Sequence, residues 1–120
     1  MTKIVQAVNT MIANAKRITN VMRASEGEVF FLYDGKHKWS MGKKDDGHWL
    51  WFYPGDETLE SLKEASDGAW DPSIPVVTYR DTEIGTKEAK ASFAELYTLL
   101  NEKVYGVDAV LDDIINDIPF

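Results

Sequence analysis

The first quarter of the chain carries apolar residues at intervals of three and four, which is the spacing of one face of a helix. The stripe begins at Ile4 and continues through Met11 and Ile18 to Met22. Gly27 follows shortly after the last apolar position, where glycine commonly ends a helix. The pattern therefore predicts a first helix over residues 2–24.

Three short segments rich in aromatic and β-branched residues follow, at 28–33, 36–43 and 48–53, and they predict an antiparallel β-meander. Asp34-Gly35 is a preferred two-residue hairpin turn, because both turn positions need positive φ. With that turn, Phe30 lies opposite Trp39, and we expect the two side chains to share a buried face.

The second turn, at residues 44–47, leaves the register of the second hairpin open, since its glycine fits a four-residue or a three-residue loop. A shift of one residue exchanges the two faces of a strand. With the four-residue loop, Trp49, Trp51 and Tyr53 lie beside the lysine-bearing face of the sheet.

The C-terminal half alternates helical and strand patterns. It predicts a short helix capped by Asp56, a fourth strand at 74–79, a long helix over 86–105 ended by Gly106, and a last helix over 108–117 capped by Asp108. The predicted inner face of the last helix is Val110, Leu111, Ile114, Ile115 and Ile118. We therefore predict a single α+β domain over residues 1–120: an N-terminal helix, an antiparallel meander of three to four strands, and C-terminal helices packed on the sheet.

The amino-acid composition excludes several kinds of site and indicates where the protein is located. The chain has 120 residues, of which 44% are hydrophobic and none is cysteine, so disulfides, thiolate nucleophiles and cysteine zinc sites are excluded. No apolar run approaches the ~18 residues that a membrane-spanning helix needs. The first residues also lack the unbroken apolar stretch of a signal peptide. We expect a cytoplasmic protein with no membrane partner.

Charge is unevenly distributed. The net charge is −7, made up of +5 over residues 1–44 and −12 over residues 45–120. A pI near 4.7 argues against general binding to phosphate backbones, so we do not expect a nucleic-acid partner. Asp112, Asp113 and Asp117 lie toward the negative end of the last helix, where each exposed acid costs about 0.3–1 kcal/mol. Positive charge that offsets this unfavourable energy could come from two sources, and both stay open: the basic first third of the same chain, or a cationic patch on a partner.

Catalytic and metal-binding patterns are weak. The only histidines, His37 and His48, fall near opposite ends of neighbouring predicted strands, and no spacing matches a known metal signature. No serine follows the nucleophile-elbow pattern, and carboxylates such as Glu60 and Glu64 lie on a solvated helix face. We therefore predict no catalytic residue, metal ligand or cofactor, and a protein that is not an enzyme. Beside the two binding functions described below, a third alternative is an enzyme whose catalytic site assembles from residues that are far apart in the sequence.

The meander carries the strongest alternative site. Sheets that bind single-stranded nucleic acid combine stacking aromatic rings with cations. The residues of this alternative ligand face are Phe31, Tyr33, Lys36, Lys38, Trp49 and Trp51. We favour a core role for these aromatic residues, because the long amphipathic helices need a surface to cover.

The layout and charge together suggest a binding protein. Small, acidic, cysteine-free chains that begin with a helix and continue with a meander are common among toxin-neutralising immunity proteins and phage inhibitors of host defence. By that analogy of composition, we predict a non-enzymatic module that binds or inhibits another protein through a charged surface. The predicted partner-binding residues are Asp112, Asp113 and Asp117. The alternative is a small ligand or single-stranded nucleic acid on the aromatic and basic sheet face, and the oligomeric state is left open.

Overall fold

A five-stranded antiparallel sheet, with strands side by side in chain order, organises the protein. The computed structural model describes residues 2–117. The strands are β1 (Ile18–Arg23), β2 (Val29–Tyr33), β3 (His37–Lys44), β4 (Gly47–Tyr53) and β5 (Val77–Arg80). The helices are α1 (Lys3–Ala13), α2 (Leu59–Asp67), α3 (Asp81–Ile84), α4 (Lys87–Tyr105) and α5 (Val107–Ile115). The predicted α+β class is confirmed, with five strands instead of three to four.

The extra strand comes from the second half of the predicted first helix. Helix α1 ends at Ala13, a single 3₁₀ turn follows, and β1 begins at Ile18. β-Branched residues favour strands, and the edge of β2 supplies partners for the backbone groups of β1. Asn20 has φ +53° where the pairing with β2 shifts, so a bulge places Ile18 and Met22 in the cores on opposite faces. The helical spacing of these two residues was misleading.

The first hairpin turn has the predicted local conformation but one more residue than expected. Asp34 and Gly35 both have positive φ, at +59° and +70°. Strand pairing resumes with Tyr33 opposite His37, which leaves Lys36 as an additional turn residue. Every pair in the hairpin is therefore shifted by one position from the predicted register.

This shift changes which side chains share a face. Phe31 lies opposite Trp39, and Phe30 lies opposite Ser40. The prediction that Phe30 and Trp39 share a buried face is wrong, because a slip of one residue turns a whole strand over.

The second hairpin follows the face assignment of the four-residue alternative. Lys43 lies opposite His48, and the pairing then continues to Lys44 opposite Gly47, which leaves a turn of two residues. Asp45, the first of these, has φ +58°. Trp49 and Trp51 consequently lie on the same sheet face as Lys38.

Two hydrophobic cores cover the two faces of the sheet. Helices α1 and α4 pack on one face, which we call the helix face. Its fully buried residues include Val8, Phe31, Met41, Leu50, Phe93, Leu96 and Leu100. On the other face, α2 buries Leu59 and Leu62 against Phe30 and Tyr53. We call this second face the open face, because α2 covers only part of it.

Local signals predict the ends of α4 well. The Thr86 hydroxyl accepts a hydrogen bond from the Ala89 backbone N–H at 3.0 Å, and Gly106 follows the helix with φ +67°. The shorter helix α2 is capped by Thr58 and not by the predicted Asp56.

Helix α5 differs most from its prediction. It begins at Val107, so Asp108 lies inside its first turn and does not occupy the capping position. Its apolar residues Val110, Leu111, Ile114 and Ile115 are exposed, so the prediction that they form an inner face is wrong. The helix face is already covered by α1 and α4, and α5 has its main contacts with α4. Ile118, the fifth predicted member, lies outside the described residues.

Candidate functional site

The predicted partner-binding acids lie on an exposed surface. Asp112 and Asp113 are in the last turn of α5, and Asp117 follows the end of the helix. Within residues 2–117, none of these three carboxylates forms an ion pair. The basic first third of the chain therefore does not compensate them in this structure.

Beside these acids, α5 carries an apolar stripe that nothing covers in the described part of the chain. Positions 110, 111, 114 and 115 follow the three-and-four spacing of one helix face. Their side chains range from 49% exposed at Leu111 to 75% exposed at Ile115. We call these four residues the α5 stripe. Helix α5 thus presents an apolar face and acidic residues together.

Strand β1 fixes the end of α4, from which α5 starts. Arg23 donates one hydrogen bond to the Asn101 side-chain oxygen at 2.6 Å and another to the Tyr105 hydroxyl at 2.5 Å. Its guanidinium also lies 5.3 Å from the centre of the Tyr105 ring. These contacts hold the last turn of α4, so the starting point of α5 is defined relative to the sheet.

The six residues of the alternative ligand face do not lie together. Phe31 and Tyr33 are on the helix face, where Phe31 is fully buried, and Lys36 is in the first turn. Lys38, Trp49 and Trp51 are on the open face. The one-residue register shift in the first hairpin separates the two groups.

Lys38 has a structural role on the open face. Its ammonium donates to the backbone carbonyls of Gly55 and Glu57 and holds the segment before α2 in place. These two bonds use two of the three N–H donors of the ammonium group.

Trp49 and Trp51 form a stacked pair with cations beside it. Their ring centres are 5.8 Å apart and the ring planes differ by 22°. The Arg80 guanidinium lies 4.2 Å from the Trp49 ring centre, and the Lys44 ammonium lies 5.9 Å from it. Sequence reasoning missed Arg80, because β5 reaches β4 only through a long connection that includes α2.

An open groove of about 700 Å³ lies on the open face between the β3–β4 hairpin and α2. Trp51, Tyr53 and Trp70 are among the residues that line it. Gly42 makes room for the Trp51 ring, because a Cβ at residue 42 would lie 3.3 Å from that ring. The sequence signal for this arrangement is the glycine opposite a tryptophan-rich strand.

A hydrogen-bonded network lies beneath this groove. The two carboxylate oxygens of Glu28 accept bonds from the Ser40 hydroxyl at 2.7 Å and the Ser66 hydroxyl at 2.6 Å. Ser40 is also bonded to the Tyr53 hydroxyl at 2.7 Å. Burial raises the pKa of Tyr53 above its ordinary value, and the nearby Glu28 carboxylate raises it further, whereas the Ser40 bond partly offsets this.

Stability is therefore expected to fall at alkaline pH because of Tyr53. Its pKa is higher in the folded state than in the unfolded state, so the unfolded chain releases this proton first as pH rises above about 10. Each further pH unit, up to the folded-state pKa, should then remove about 1.4 kcal/mol of unfolding free energy. Urea unfolding between pH 9 and pH 11, in about half-unit steps, measures the slope.

In Tyr53→Phe, the fall of unfolding free energy with pH should be smaller by the contribution of nearly one proton. This variant also loses the hydrogen bond to Ser40. Tyr105→Phe is the matched control, since Tyr105 is 65% exposed. Equal slopes in the wild-type chain and Tyr53→Phe would contradict the assignment.

Among the described residues, the pair of half-buried His48 and buried Asp81 is the closest approach to a catalytic arrangement. Asp81 accepts the His48 backbone N–H at 3.0 Å and lies 3.3 Å from the imidazole Nδ1. The imidazole packs against the Tyr97 ring at 5.4 Å. In the described part of the chain, no hydrogen bond links this pair to a serine or threonine hydroxyl. The pair therefore links the second hairpin to α3.

Residues 2–117 contain neither a cluster of metal ligands nor a membrane-spanning helix. No three histidine, aspartate or glutamate side chains are grouped closely enough to hold a metal ion. Every helix in this range is too short or too polar to cross a membrane.

Comparison with known proteins yields no match among family models, curated proteins or solved structures.

Proposed function

We propose that this chain is a non-enzymatic module that binds another protein through helix α5 and inhibits that protein by occupying its surface. The observation that carries this proposal is the α5 stripe, whose residues are about half exposed or more. Contiguous exposed apolar surface marks interaction sites, and an amphipathic helix commonly inserts its apolar face into a groove of a partner. A cytoplasmic location belongs to the same proposal.

The acidic residues of α5 indicate the chemistry of the partner. Asp112, Asp113 and Asp117 form no ion pair within residues 2–117, so they are free to meet cations. A partner with an apolar groove bordered by lysine or arginine fits both properties of the helix. Pairing of α5 with the same helix of a second copy would bring like charges together, which disfavours it.

The test uses three variants of the immobilised chain. The stripe variant carries Leu111→Ser, Ile114→Ser and Ile115→Ser, whereas the acid variant carries Asp112→Asn, Asp113→Asn and Asp117→Asn. The control variant makes an equal charge change at three exposed acids elsewhere, with Glu60→Gln, Glu95→Gln and Glu102→Gln. Proteins captured from the native host are identified by mass spectrometry, and the captured protein is then purified for binding kinetics.

We expect the wild-type chain and the control variant to capture the same basic protein, and the stripe variant to lose it. The acid variant should associate about tenfold more slowly at low salt, with a smaller change in dissociation, because these charges steer the encounter. Equal capture by the stripe variant and the wild-type chain would contradict the proposal.

Thermal stability separates the two sources of compensation for the acids. The acid variant should be at least as stable as the wild-type chain, because its substitutions remove negative charge from the negative end of a helix. A loss of stability that high salt abolishes would instead show that the acids pair within the chain.

A further inference from the structure

We propose that the groove on the open face is a second binding site, separate from α5, and that its ligand is a neutral oligosaccharide. Its volume of about 700 Å³ falls in the range of about 300–1,000 Å³ that is typical of small-ligand sites. It is an open groove and not a closed cavity, so a ligand longer than the groove can extend out of it.

Aromatic rings supply the apolar part of this site. Trp51, which is half-buried, and Trp70, which is 39% exposed, both line the groove. The Trp70 ring centre lies 6.0 Å from that of the buried Tyr53, and the two ring planes differ by 52°. Sugar rings have flat faces of C–H groups, and they pack against indole rings presented in this way.

Hydrogen-bonding groups supply the polar part. The carboxylate of Glu28 is held by Ser40 and Ser66, and it has about four acceptor positions, of which these bonds use two. Asp67 is held by the Lys63 ammonium at 2.8 Å and by the Ser25 backbone N–H at 2.6 Å. Fixed carboxylates that keep free acceptor positions match the hydroxyl donors of a sugar.

The charges along the groove favour a neutral ligand over a nucleic acid. Three carboxylates line it, those of Glu26, Glu28 and Asp67, against the two ammonium groups of Lys43 and Lys44. Binding to a phosphate backbone depends on an excess of cations. A polymer of phosphates would meet a net negative groove, whereas an uncharged sugar chain would lose nothing to repulsion.

The test is calorimetric titration of the full chain with neutral hexasaccharides of glucose, mannose, galactose, xylose and N-acetylglucosamine. At least one of these probes should bind with a stoichiometry of one. Trp70→Ala should weaken that binding about tenfold or more, since a half-exposed aromatic ring in a groove contributes strongly to affinity. Trp39→Phe, on the helix face, should leave affinity within about twofold of the wild-type value.

Thermal unfolding of each variant shows whether it is folded, and Trp70 is suited to this test because it lies in a loop and is not in a core. The proposal is overturned if no hexasaccharide binds saturably up to about 10 mM, the range of weak specific affinities. It is also overturned if Trp70→Ala leaves binding unchanged. Binding of an oligothymidine that weakens steeply with salt, without binding of any sugar, would identify the groove as a nucleic-acid site instead.

Discussion

Phe31→Ala is expected to lower the unfolding free energy by about 3–5 kcal/mol. Phe31 is fully buried in the centre of β2 on the helix face, in one core with Phe93 and Leu96 of α4. Truncation removes most of a ring from a packed interior, and helices on a sheet cannot close the resulting cavity completely. Urea unfolding followed by far-ultraviolet circular dichroism measures the change.

Phe52→Ala is the matched control for this effect. Phe52 lies on the same face of the sheet, since its neighbour across the strands is Trp39, but it is only partly buried. Its truncation should lower stability by less than half as much as that of Phe31. A change at Phe31 within about 0.5 kcal/mol of zero would contradict the burial of this side chain in the core.

Asp81→Ala is expected to lower the unfolding free energy by up to about 3 kcal/mol. The carboxylate is buried, accepts the His48 backbone N–H, and packs so closely on Gly47 that a Cβ there would lie 2.6 Å from its oxygen. Its removal leaves the backbone donor of His48 without its acceptor, and an unsatisfied buried donor costs more than the bond itself contributed. Asp81→Asn keeps one side-chain oxygen and should be less destabilising than Asp81→Ala.

Glu83→Ala provides the comparison from the same short helix. Glu83 is exposed and forms an ion pair with Arg80 at 3.3 Å. Exposed pairs contribute about 0–1 kcal/mol, so this truncation should have little effect on urea unfolding. If Asp81→Ala and Glu83→Ala reduced stability equally, Asp81 would not have the structural role given to it.

Several features were predicted from short stretches of sequence because short-range physics governs them. Gly106 was predicted to end α4, since a residue free to adopt positive φ acts within one turn of the helix, and the start predicted near residue 86 agrees with the Thr86 cap. The conformations of Asp34 and Gly35 were predicted for the same reason. The C-terminal helices followed from hydrophobic periodicity, and the meander followed from short segments rich in aromatic and β-branched residues between turns.

Short-range sequence signals did not determine the register of the first hairpin. Lys36 could belong to the turn or to the strand, and the difference depends on which face of β2 the helices cover. The assignment of residues 18–23 to β1 likewise depended on the free edge of β2, and pairing there outweighed the helical spacing of the apolar residues.

The two candidate sites also contain some features that the sequence predicts and others that depend on tertiary packing. The acids of α5 were identifiable from sequence, because charges at the negative end of a helix are unfavourable wherever that helix lies. The exposure of the α5 stripe depended on α1 and α4 already covering the helix face. The groove depends on packing even more, since Ser66 of α2 reaches Glu28, 38 residues earlier in the chain, only where α2 packs on the sheet. Contacts between distant segments follow from how complete faces pack together, and no short window of sequence contains that information.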